Sequence, residues 1–248
     1  RGDNPQIGPY IPSPLHWPPI LSQVRERLVT GGEGSGKSRL GAQEIFGATE
    51  PRQLYWLAGG TYEDTIQEFY YLVELYGILG AIDRVRYPTK EGWEIVLTHP
   101  FEGTIVAPRL AADEKKIGAR APKMILVCEA GKISLEAARR LRGRIRRGQD
   151  GTILFTGTIE SSLSWYADLW TDWQAPGAQG ESFSMPTHSN LAKYPLGEKD
   201  PEILALQASN PPHGLWNAIL VYPFLPLRSF TPSSSPSCTW AITRSRPP

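Results

Sequence analysis

The residues best suited to chemistry form one glycine-rich stretch that ends in a lysine and a serine, Gly31-Gly32-Glu33-Gly34-Ser35-Gly36-Lys37-Ser38. Its glycines permit backbone angles and close approaches that a Cβ would block, so successive amide N–H groups can face a chain of phosphates. A helix that starts after the stretch adds its positive end to the same site. Lys37 would reach the β- and γ-phosphates, and the Ser38 hydroxyl is suited to Mg²⁺. We therefore expect residues 32–38 to bind a nucleoside triphosphate with magnesium.

Glu129 is the candidate catalytic carboxylate. It follows the apolar run 124–127 and Cys128, a pattern typical of a parallel strand buried on both faces with a carboxylate at its carboxyl end. A triphosphatase needs a carboxylate there to orient the magnesium shell and the attacking water. Cys128 stands in place of the usual aspartate that supports the metal. Two alternatives stay open: Ser38, phosphate oxygens and waters hold Mg²⁺ adequately, or the site binds nucleotide and turns it over poorly.

Alternating strands and helices are predicted to position these residues. The apolar pattern predicts strands over 27–30, 53–58, 124–127 and 152–155. Helices are predicted from Lys37 onward and over 61–76, 135–147 and 164–174. Residues 183–185 could add a strand and 201–209 a short helix. Two shorter strands, 93–97 and 103–106, suggest a β insertion.

This order of elements predicts an α/β fold of the P-loop NTPase type. A mostly parallel central sheet is flanked by helices and carries a small β insertion and an irregular C-terminal tail. We expect an irregular N-terminal arm over residues 1–22, an ATPase domain over 23–210 and a low-complexity tail over 211–248. A chain of 248 residues is long enough for such a domain to sustain its own core.

The tail differs from the rest of the chain in composition. The chain has no Asp or Glu after Glu202, and the tail includes the proline- and serine-rich segment 231–237. Two explanations stay open: the tail is disordered or ordered only in a crystal, or the coding frame was lost after about Asn210.

Charge and cysteine content limit the function classes. The net charge of +1 means that any nucleic-acid surface must be a local cluster. Six arginines form such a cluster within nine residues, Arg139, Arg140, Arg142, Arg144, Arg146 and Arg147. The two distant cysteines, Cys128 and Cys238, predict neither a disulfide framework nor a metal site and favour a reducing compartment. We expect neither a targeting segment after Arg1 nor a membrane span.

These features together resemble the ATPase domain of the large terminase subunit of tailed bacteriophages, the motor that pumps DNA into a preformed capsid. The resemblance covers about residues 15–210 and rests on three segments, which are 31–38, 124–131 and 153–158. Cys128 departs from the family's usual aspartate. The third segment is similar to the family's coupling motif, which implies that Thr156, Gly157 and Thr158 sense the γ-phosphate and link hydrolysis to movement.

The resemblance also implies contacts to adenine and to the γ-phosphate. Gln23, eight residues before Gly31, fits the glutamine with which the family recognises adenine; the alternative is a solvated residue of the arm. Such motors supply an arginine to the γ-phosphate from the same subunit or from a neighbour in a ring. Arg139 is the first candidate and Arg142 the second, with Arg39 as a contributor in cis.

The basic residues have two further interpretations. Arg139, Arg142 and Arg146 share one helical face, so they could form a solvated basic face or grip DNA phosphates. A smaller cluster could likewise line a DNA path, Lys115, Lys116 and Arg120.

We therefore expect an ATP-hydrolysing motor domain, with ATP and Mg²⁺ as cofactors, that couples hydrolysis to movement of duplex DNA into a capsid. The family implies as partners the portal protein, the small terminase subunit and further copies of the chain in a ring, although the isolated domain could be monomeric. It also implies a place at the viral procapsid portal in the host cytoplasm, without membrane contact. Nuclease activity is not expected, because the carboxylates that hold two metals are absent after Glu202. The alternatives are a superfamily-2-like helicase and a nucleotide-binding subunit with little turnover.

Overall fold

An eight-stranded sheet runs through the residues that the computed structural model describes, which are 17–89, 92–111, 121–145, 151–159 and 164–209. Its strands, in chain order, are β1 (Glu26–Gly31), β2 (Leu54–Gly59), β3 (Ile82–Thr89), β4 (Gly92–Leu97), β5 (Ile105–Leu110), β6 (Met124–Val127), β7 (Thr152–Gly157) and β8 (Glu181–Met185). Across the sheet their order is β3-β4-β5-β2-β6-β7-β1-β8. The six strands from β5 to β8 in this order, which are β5, β2, β6, β7, β1 and β8, all pair in parallel with their neighbours. This arrangement confirms the predicted α/β fold.

Helices flank this sheet on both faces. Those of the described residues are α1 (Trp17–Leu21), α2 (Lys37–Gly47), α3 (Ile66–Ile78), α4 (Leu135–Arg144), α5 (Ser164–Asp172) and α6 (Pro201–Ser209). Short 3₁₀ turns follow β2 at Glu63–Thr65 and β6 at Ala130–Lys132. None of the helices in these ranges has the length and apolar character needed to cross a membrane.

Burial on both faces explains the unbroken apolar runs in the central strands. Successive side chains of a strand point to opposite sides of the sheet. In β1, Leu28 packs with Ile125, Phe155 and residues of α4 and α5, whereas Val29 packs with Leu126 and residues of α2 and α3. The core is therefore two apolar layers, one on each face of the sheet.

A buried ion pair fixes β1 to the helices on either side of it in sequence. Arg27 in β1 pairs with Glu44 in α2 at 2.5 Å, and its Nη1 donates a hydrogen bond to the carbonyl oxygen of Pro19 in α1 at 2.7 Å. Burial raises the pKa of Glu44, and the adjacent Arg27 opposes that shift. The pair ties α1, β1 and α2 into one unit around the loop that joins β1 to α2.

Strand β7 lies between β1 and β6, and this arrangement brings the predicted chemical groups together. Thr156 of β7 is opposite Val29 of β1, and Phe155 is opposite Val127 of β6. Because these strands are parallel, their carboxyl ends share one edge of the sheet. The glycine-rich stretch and Glu129 come at the ends of β1 and β6 at that edge, and the segment 156–158 includes the last two residues of β7 there.

The predicted β insertion is part of the main sheet. Strand β5 extends to Leu110 and pairs in parallel with β2, while β4 pairs antiparallel with both β5 and β3. The sequence did not predict β3. This strand lies at the edge of the sheet with mostly exposed or half-exposed side chains, and its charged residues interrupt the apolar pattern.

The remaining strand and helix predictions are confirmed, with shifted ends. Helix α3 begins at Ile66 and not at 61, because the 3₁₀ turn at Glu63–Thr65 precedes it. Helix α1 falls inside the arm predicted to be irregular, where proline is compatible with a first helical turn. Several predictions lie outside the described residues: most of the arm 1–22, the tail 211–248, Lys115, Lys116, Arg120, Arg146, Arg147 and Cys238.

Candidate nucleotide-binding site

The glycine-rich stretch forms the turn between β1 and α2 at the carboxyl edge of the sheet. Gly34 and Gly36 have left-handed backbone angles, with φ of 72° and 97°, which residues with a Cβ disfavour. Gly36 immediately precedes α2, so the free amide groups of the first helical turn open onto the stretch. A loop of this kind at a helix N-terminus is a site for anions.

Lys37 is held against the backbone of this loop. Its side chain is buried, and Nζ donates hydrogen bonds to the carbonyl oxygens of Gly31 at 2.8 Å and Gly32 at 2.9 Å. Ser38 follows in the first turn of α2. The structure therefore places an ammonium group and a hydroxyl at the loop, where the sequence predicted them.

A loop after β8 that the sequence did not mark packs over the glycine-rich stretch. Asn190 Nδ2 donates a hydrogen bond to the carbonyl oxygen of Gly34 at 2.7 Å. A Cβ added at Gly34 would lie 3.0 Å from both Lys193 Nζ and the Tyr194 hydroxyl. The hydrogen bond with Tyr194 raises the pKa of Lys193. Lys193, an exposed cation that is distant from the loop in sequence, thus lies beside it.

Glu129 leaves β6 in a left-handed conformation that is uncommon for a residue other than glycine, with φ 48° and ψ 46°. Its side chain is 34% exposed. Lys132 Nζ lies 3.9 Å from Glu129 Oε2 and 3.2 Å from Asp64 Oδ1. The carboxylate is therefore open to solvent at the end of β6, as a group that orients an attacking water must be.

Glu68 of α3 brings a buried carboxyl group to the same place. Its residue exposure is 3%, and its carboxyl group interacts with the Ser38 hydroxyl and the Cys128 thiol and lies near Glu129. Burial raises the pKa of Glu68, and the interactions with Ser38 and Cys128 oppose that shift. Among the described residues, Glu68 Oε2 is buried without a hydrogen-bond partner.

Cys128 is fully buried on the face of the sheet that α2 and α3 cover. Burial raises the pKa of its thiol well above the usual value, and the carboxyl groups of Glu68 and Glu129 raise it further. Cys128 therefore stays a neutral thiol, and it forms no disulfide within the described residues.

The donor atoms at this edge suit magnesium only in combination with a nucleotide. The Ser38 hydroxyl and the unpartnered Glu68 carboxyl oxygen are hard oxygen donors of the kind that Mg²⁺ prefers. Across the described ranges, no group of three His, Cys, Asp or Glu residues is arranged to hold a metal. Phosphate oxygens and water would have to supply the other ligands.

The predicted coupling segment touches the turn that carries Glu129. Thr156 is buried, and its hydroxyl donates a hydrogen bond to the carbonyl oxygen of Val127 at 3.2 Å. A Cβ at Gly157 would lie only 3.1 Å from the backbone nitrogen of Ala130. The ends of β6 and β7 are therefore in direct contact, whereas sensing of the γ-phosphate by this segment stays a prediction.

Tyr166 of α5 joins these turns to β1. Its hydroxyl donates a hydrogen bond to the carbonyl oxygen of Val29 at 3.1 Å and lies 3.3 Å from the position of a Cβ at Gly157. On the other side of the same turn, a Cβ at Gly131 would lie 2.9 Å from the carbonyl oxygen of Thr158. Backbone contacts thus run from β1 through β7 to the residues after Glu129.

Solved structures with similar folds include large terminases. The ATPase domain of the Thermus phage P74-26 large terminase superposes with a TM-score of 0.57 at 14% identity, over 79% of this chain and 91% of that domain. For the large terminase from a thermophilic bacteriophage, hereafter the thermophilic-phage terminase, the TM-score is 0.67 at 12% identity, over 84% of this chain and 52% of that chain. For the HK97 bacteriophage large terminase the TM-score is 0.54 at 11% identity, over 73% of this chain and 40% of that chain.

The chain has the fold of a large terminase ATPase domain. It spans nearly all of the P74-26 domain and about half of the thermophilic-phage terminase. The thermophilic-phage terminase has also been solved in complex with ADP and with ATP-γ-S. The sequence itself matches no protein-family model and no curated protein.

Within this terminase fold, Arg39 contacts a helix. Its guanidinium makes a bidentate ion pair with Glu74 of α3, at 2.7 and 3.0 Å, and lies over the ring of Tyr71 at 4.9 Å. These contacts pack α2 against α3. A contribution of Arg39 to the γ-phosphate stays a prediction that none of these contacts supports.

The two arginine candidates of α4 lie at the other end of β1. Arg142 pairs with Glu26, at 2.8 Å from Nε to Oε2, and its guanidinium lies 5.7 Å from the ring of Trp173. Arg139 is exposed and has no hydrogen-bond or ion-pair partner among the described residues; together with Glu26 and Arg142 it lines a cavity of about 370 Å³. The five residue steps from Glu26 to Gly31 span about 16 Å. Neither arginine is thus near the loop of its own subunit, and action in trans stays a prediction.

Gln23 lies just before β1, on the amino side of the strand. It is exposed, and its Nε2 donates a hydrogen bond to the carbonyl oxygen of Leu21 at 3.3 Å. Recognition of adenine by Gln23 stays a prediction.

Of the residues that the sequence did not single out, Glu68 carried a signal. It lies four and eight residues before Leu72 and Tyr76, which are buried on the same face of α3. A carboxyl group on the apolar face of a helix indicates a special environment. Asn190 and Lys193 carried no comparable signal, because only the folded chain brings them to the loop.

Proposed function

We propose that this chain is the ATP-hydrolysing motor domain of a viral DNA-packaging terminase, coupling hydrolysis to translocation of duplex DNA into a capsid. One observation carries the proposal: the loop with Lys37 and Ser38, the carboxylate of Glu129 and the segment 156–158 occupy the adjoining ends of β1, β6 and β7. The terminase fold supports it, as does the binding of ADP and ATP-γ-S by the thermophilic-phage terminase.

Each residue of the site has a proposed role in binding or hydrolysis. Lys37 and the amide groups of residues 32–38 bind the phosphates, and Ser38 provides the protein ligand for Mg²⁺. The metal, when bound with the nucleotide, neutralises charge that develops on the phosphate oxygens. Glu129 orients the attacking water. The contact of Thr156 with Val127 and of Gly157 with the turn after Glu129 gives hydrolysis a direct route to the rest of the sheet.

The proposal includes the partners and the place of action that a packaging motor requires. The partners are duplex DNA, the portal protein, the small terminase subunit and further copies of this chain in a ring. The place is the procapsid portal in the host cytoplasm. The exposed Arg139 and its basic cavity offer a surface for a neighbouring nucleotide or for DNA phosphates.

Phosphate release from MgATP, measured with and without linear duplex DNA, tests the proposal. We expect Lys37→Ala to abolish nucleotide binding and Glu129→Ala to lower the rate by about 10²- to 10⁴-fold while binding persists. Glu136→Ala is the matched control, since Glu136 is an exposed carboxylate that pairs with Arg140 near the start of α4. The motor proposal fails when wild-type release is no faster than that of Glu129→Ala.

Cys128 favours one alternative, a nucleotide-binding subunit with little turnover, because a neutral thiol is a poor support for Mg²⁺. Tight binding of ATP-γ-S without phosphate release would select that alternative. Unwinding of a forked duplex would select the helicase.

A further inference from the structure

On the side of the site where Mg²⁺ would bind beside Ser38, which we call the metal side, the residue after β6 is not an aspartate and supplies no carboxylate. Cys128 occupies the position, and its thiol is fully buried and neutral. Thiols are soft ligands, whereas Mg²⁺ selects carboxylate, hydroxyl and water oxygens. Glu129, one residue later, is needed for the attacking water. Another residue must therefore provide the oxygen donor on this side of Ser38.

Glu68 reaches this place from a different element. It projects from α3, and its carboxyl group interacts with both the Ser38 hydroxyl and the Cys128 thiol. The carboxyl group thus adjoins the predicted protein ligand of the metal and the residue that replaced the aspartate.

Neighbouring contacts hold α3 in a fixed position relative to the loop. The bidentate pair of Arg39 with Glu74 links α2, which begins at the loop, to α3. One turn from the loop, a Cβ at Gly41 would lie 2.8 Å from the side chain of Leu126, so α2 is also close against β6. Glu68 is therefore presented to Ser38 by two helices and a strand packed together.

The carboxyl group of Glu68 is also unsatisfied. The residue is 3% exposed, and Oε2 accepts no hydrogen bond from the part of the chain that the structure describes. A buried acceptor without a partner costs about 1–3 kcal/mol, and more when it is charged. Such a cost is retained where a ligand supplies the missing partner. A hydrated divalent cation offers both the positive charge and the donor O–H groups.

We propose that Glu68 supplies the carboxylate on the metal side of the nucleotide site, the role that Cys128 does not take. Mg²⁺ keeps several water ligands when it binds with a nucleotide. Glu68 accepts hydrogen bonds from those waters, while Ser38 is the direct protein ligand. This assignment rests on the proposed function only in requiring that the loop binds a magnesium nucleotide.

Nucleotide affinity with and without the metal tests the proposal without reference to turnover. Binding of a fluorescent ADP analogue is measured in Mg²⁺ and again in excess EDTA. For Glu68→Gln we expect affinity in Mg²⁺ to fall by about 10- to 100-fold and affinity in EDTA to stay unchanged. Electron paramagnetic resonance of Mn²⁺ with ADP gives a direct metal readout and should show the same loss. Melting curves by circular dichroism verify that the variant is folded.

A second variant makes the assignment specific to a carboxylate at this place. In the double variant Glu68→Gln/Cys128→Asp, an aspartate returns to the end of β6, and we expect the dependence on Mg²⁺ to be restored. Glu136→Gln is the matched control, because it removes an exposed carboxylate of α4 that pairs with Arg140 and does not touch α2 or α3; its Mg²⁺ dependence should equal that of the wild type.

The outcomes separate this proposal from the proposed function. Wild-type protein that binds the analogue tightly in Mg²⁺, with Glu68→Gln unchanged, overturns the role of Glu68 alone. Equal loss in Mg²⁺ and in EDTA also overturns it, because Glu68 would then support the loop and not the metal. Wild-type protein that binds no nucleotide under either condition overturns the proposed function and this inference together.

Discussion

At the scale of single residues, the backbone of Glu129 is strained at the point where chemistry is expected. A left-handed conformation costs a residue with a Cβ roughly 1–2 kcal/mol. The strain persists because the flanking residues are fixed: Cys128 N donates a hydrogen bond to the carbonyl oxygen of Ala58 at 2.7 Å, and Lys132 N donates one to that of Glu129 at 2.9 Å. Strain of this kind concentrates at functional sites, where it fixes the direction of a side chain.

Replacing this residue separates stability from activity. We expect Glu129→Gly to raise the free energy of unfolding by about 1 kcal/mol, because glycine relieves the strain at a smaller entropic cost, and to abolish phosphate release. Glu129→Gln should also abolish release but keep the stability of the wild type. Urea unfolding and phosphate release measure the two effects.

Arg52 is the natural control, since it also has a left-handed backbone, with φ 59°, but lies in the turn before β2. Arg52→Gly should leave the rate of phosphate release unchanged. A Glu129→Gly variant less stable than the wild type would contradict the idea that strain is stored at this residue.

The buried hydroxyl of Tyr55 makes the free energy of unfolding depend on pH in the alkaline range. Its hydroxyl donates a hydrogen bond to the carbonyl oxygen of Ala48 at 2.6 Å, and burial raises its pKa from 10.0 to about 12. Because the folded protein holds this proton more tightly than the unfolded chain, its contribution to stability is complete below pH 10 and is lost as pH rises toward 12. We therefore expect the melting temperature to fall over that interval.

Melting curves of variants test whether Tyr55 causes this fall in melting temperature. Tyr55→Phe should show a shallower fall, whereas Tyr70→Phe, on an exposed tyrosine, should match the wild type. Identical curves for the wild type and Tyr55→Phe would show that other groups govern alkaline unfolding.

At the scale of elements, the contact between the ends of β6 and β7 depends on the absence of a side chain at Gly157. A Cβ there would lie 3.1 Å from Ala130 N and 3.2 Å from Gly131 N, tighter than most such contacts. The neighbouring turn would have to move, and that turn begins at Glu129.

We expect Gly157→Ala to lower the rate of phosphate release by more than tenfold, about 1.4 kcal/mol in the barrier, with little change in nucleotide affinity. The reason is that the loop on β1 is intact while Glu129, the carboxylate proposed to orient the attacking water, is displaced. Gly143→Ala, in α4 with nothing within 4 Å of the added Cβ, should leave both quantities unchanged. Equal effects of the two substitutions would contradict the coupling of β7 to Glu129.

Local sequence patterns were sufficient for most elements of this fold. Residues 124–127 and 152–155 form unbroken apolar runs because both faces of their strands are covered, and these runs predicted β6 and β7. Strand β3 was missed because an edge strand needs no apolar pattern. Its residues pair only with β4, and most of its side chains are exposed or half-exposed.

The site was predictable only where a local pattern carries the chemistry. The glycine-rich stretch and Glu129 are recognised from spacing and from position at a strand end. Glu68 and Asn190 contribute through packing of α3 and of the loop after β8, and no local pattern records which carboxyl or amide will meet Ser38 or Gly34. The place of Arg39 beside the loop in sequence likewise does not record that Glu74 of α3 pairs with its guanidinium.

At the scale of the whole molecule, the two ends of β1 present different chemistry. The loop with Lys37 lies at the carboxyl end, and the cavity with Arg139 lies at the amino end. In a ring of identical subunits, the basic end of one copy could face the loop of the next.

Mixing inactive variants tests this arrangement. Arg139→Ala and Glu129→Gln should each lack DNA-stimulated phosphate release, and a mixture should recover part of it, because some interfaces then join an intact arginine to an intact site. Arg144→Ala, an exposed arginine of the same helix, is the control and should be active alone. No recovery in the mixture would exclude Arg139 as a residue that acts between subunits.

The position of β1 between β7 and β8 also determines when the site can form during synthesis. Leu28 pairs with Phe155 on one side and with Ser182 on the other, both far later in the chain. Until those residues have left the ribosome, β1 has no partner on either edge, and an unpaired apolar strand is prone to aggregation. The nucleotide loop, although near the start of the chain, is therefore completed late in folding, so nascent chains that end before β8 should not be retained on immobilised ATP.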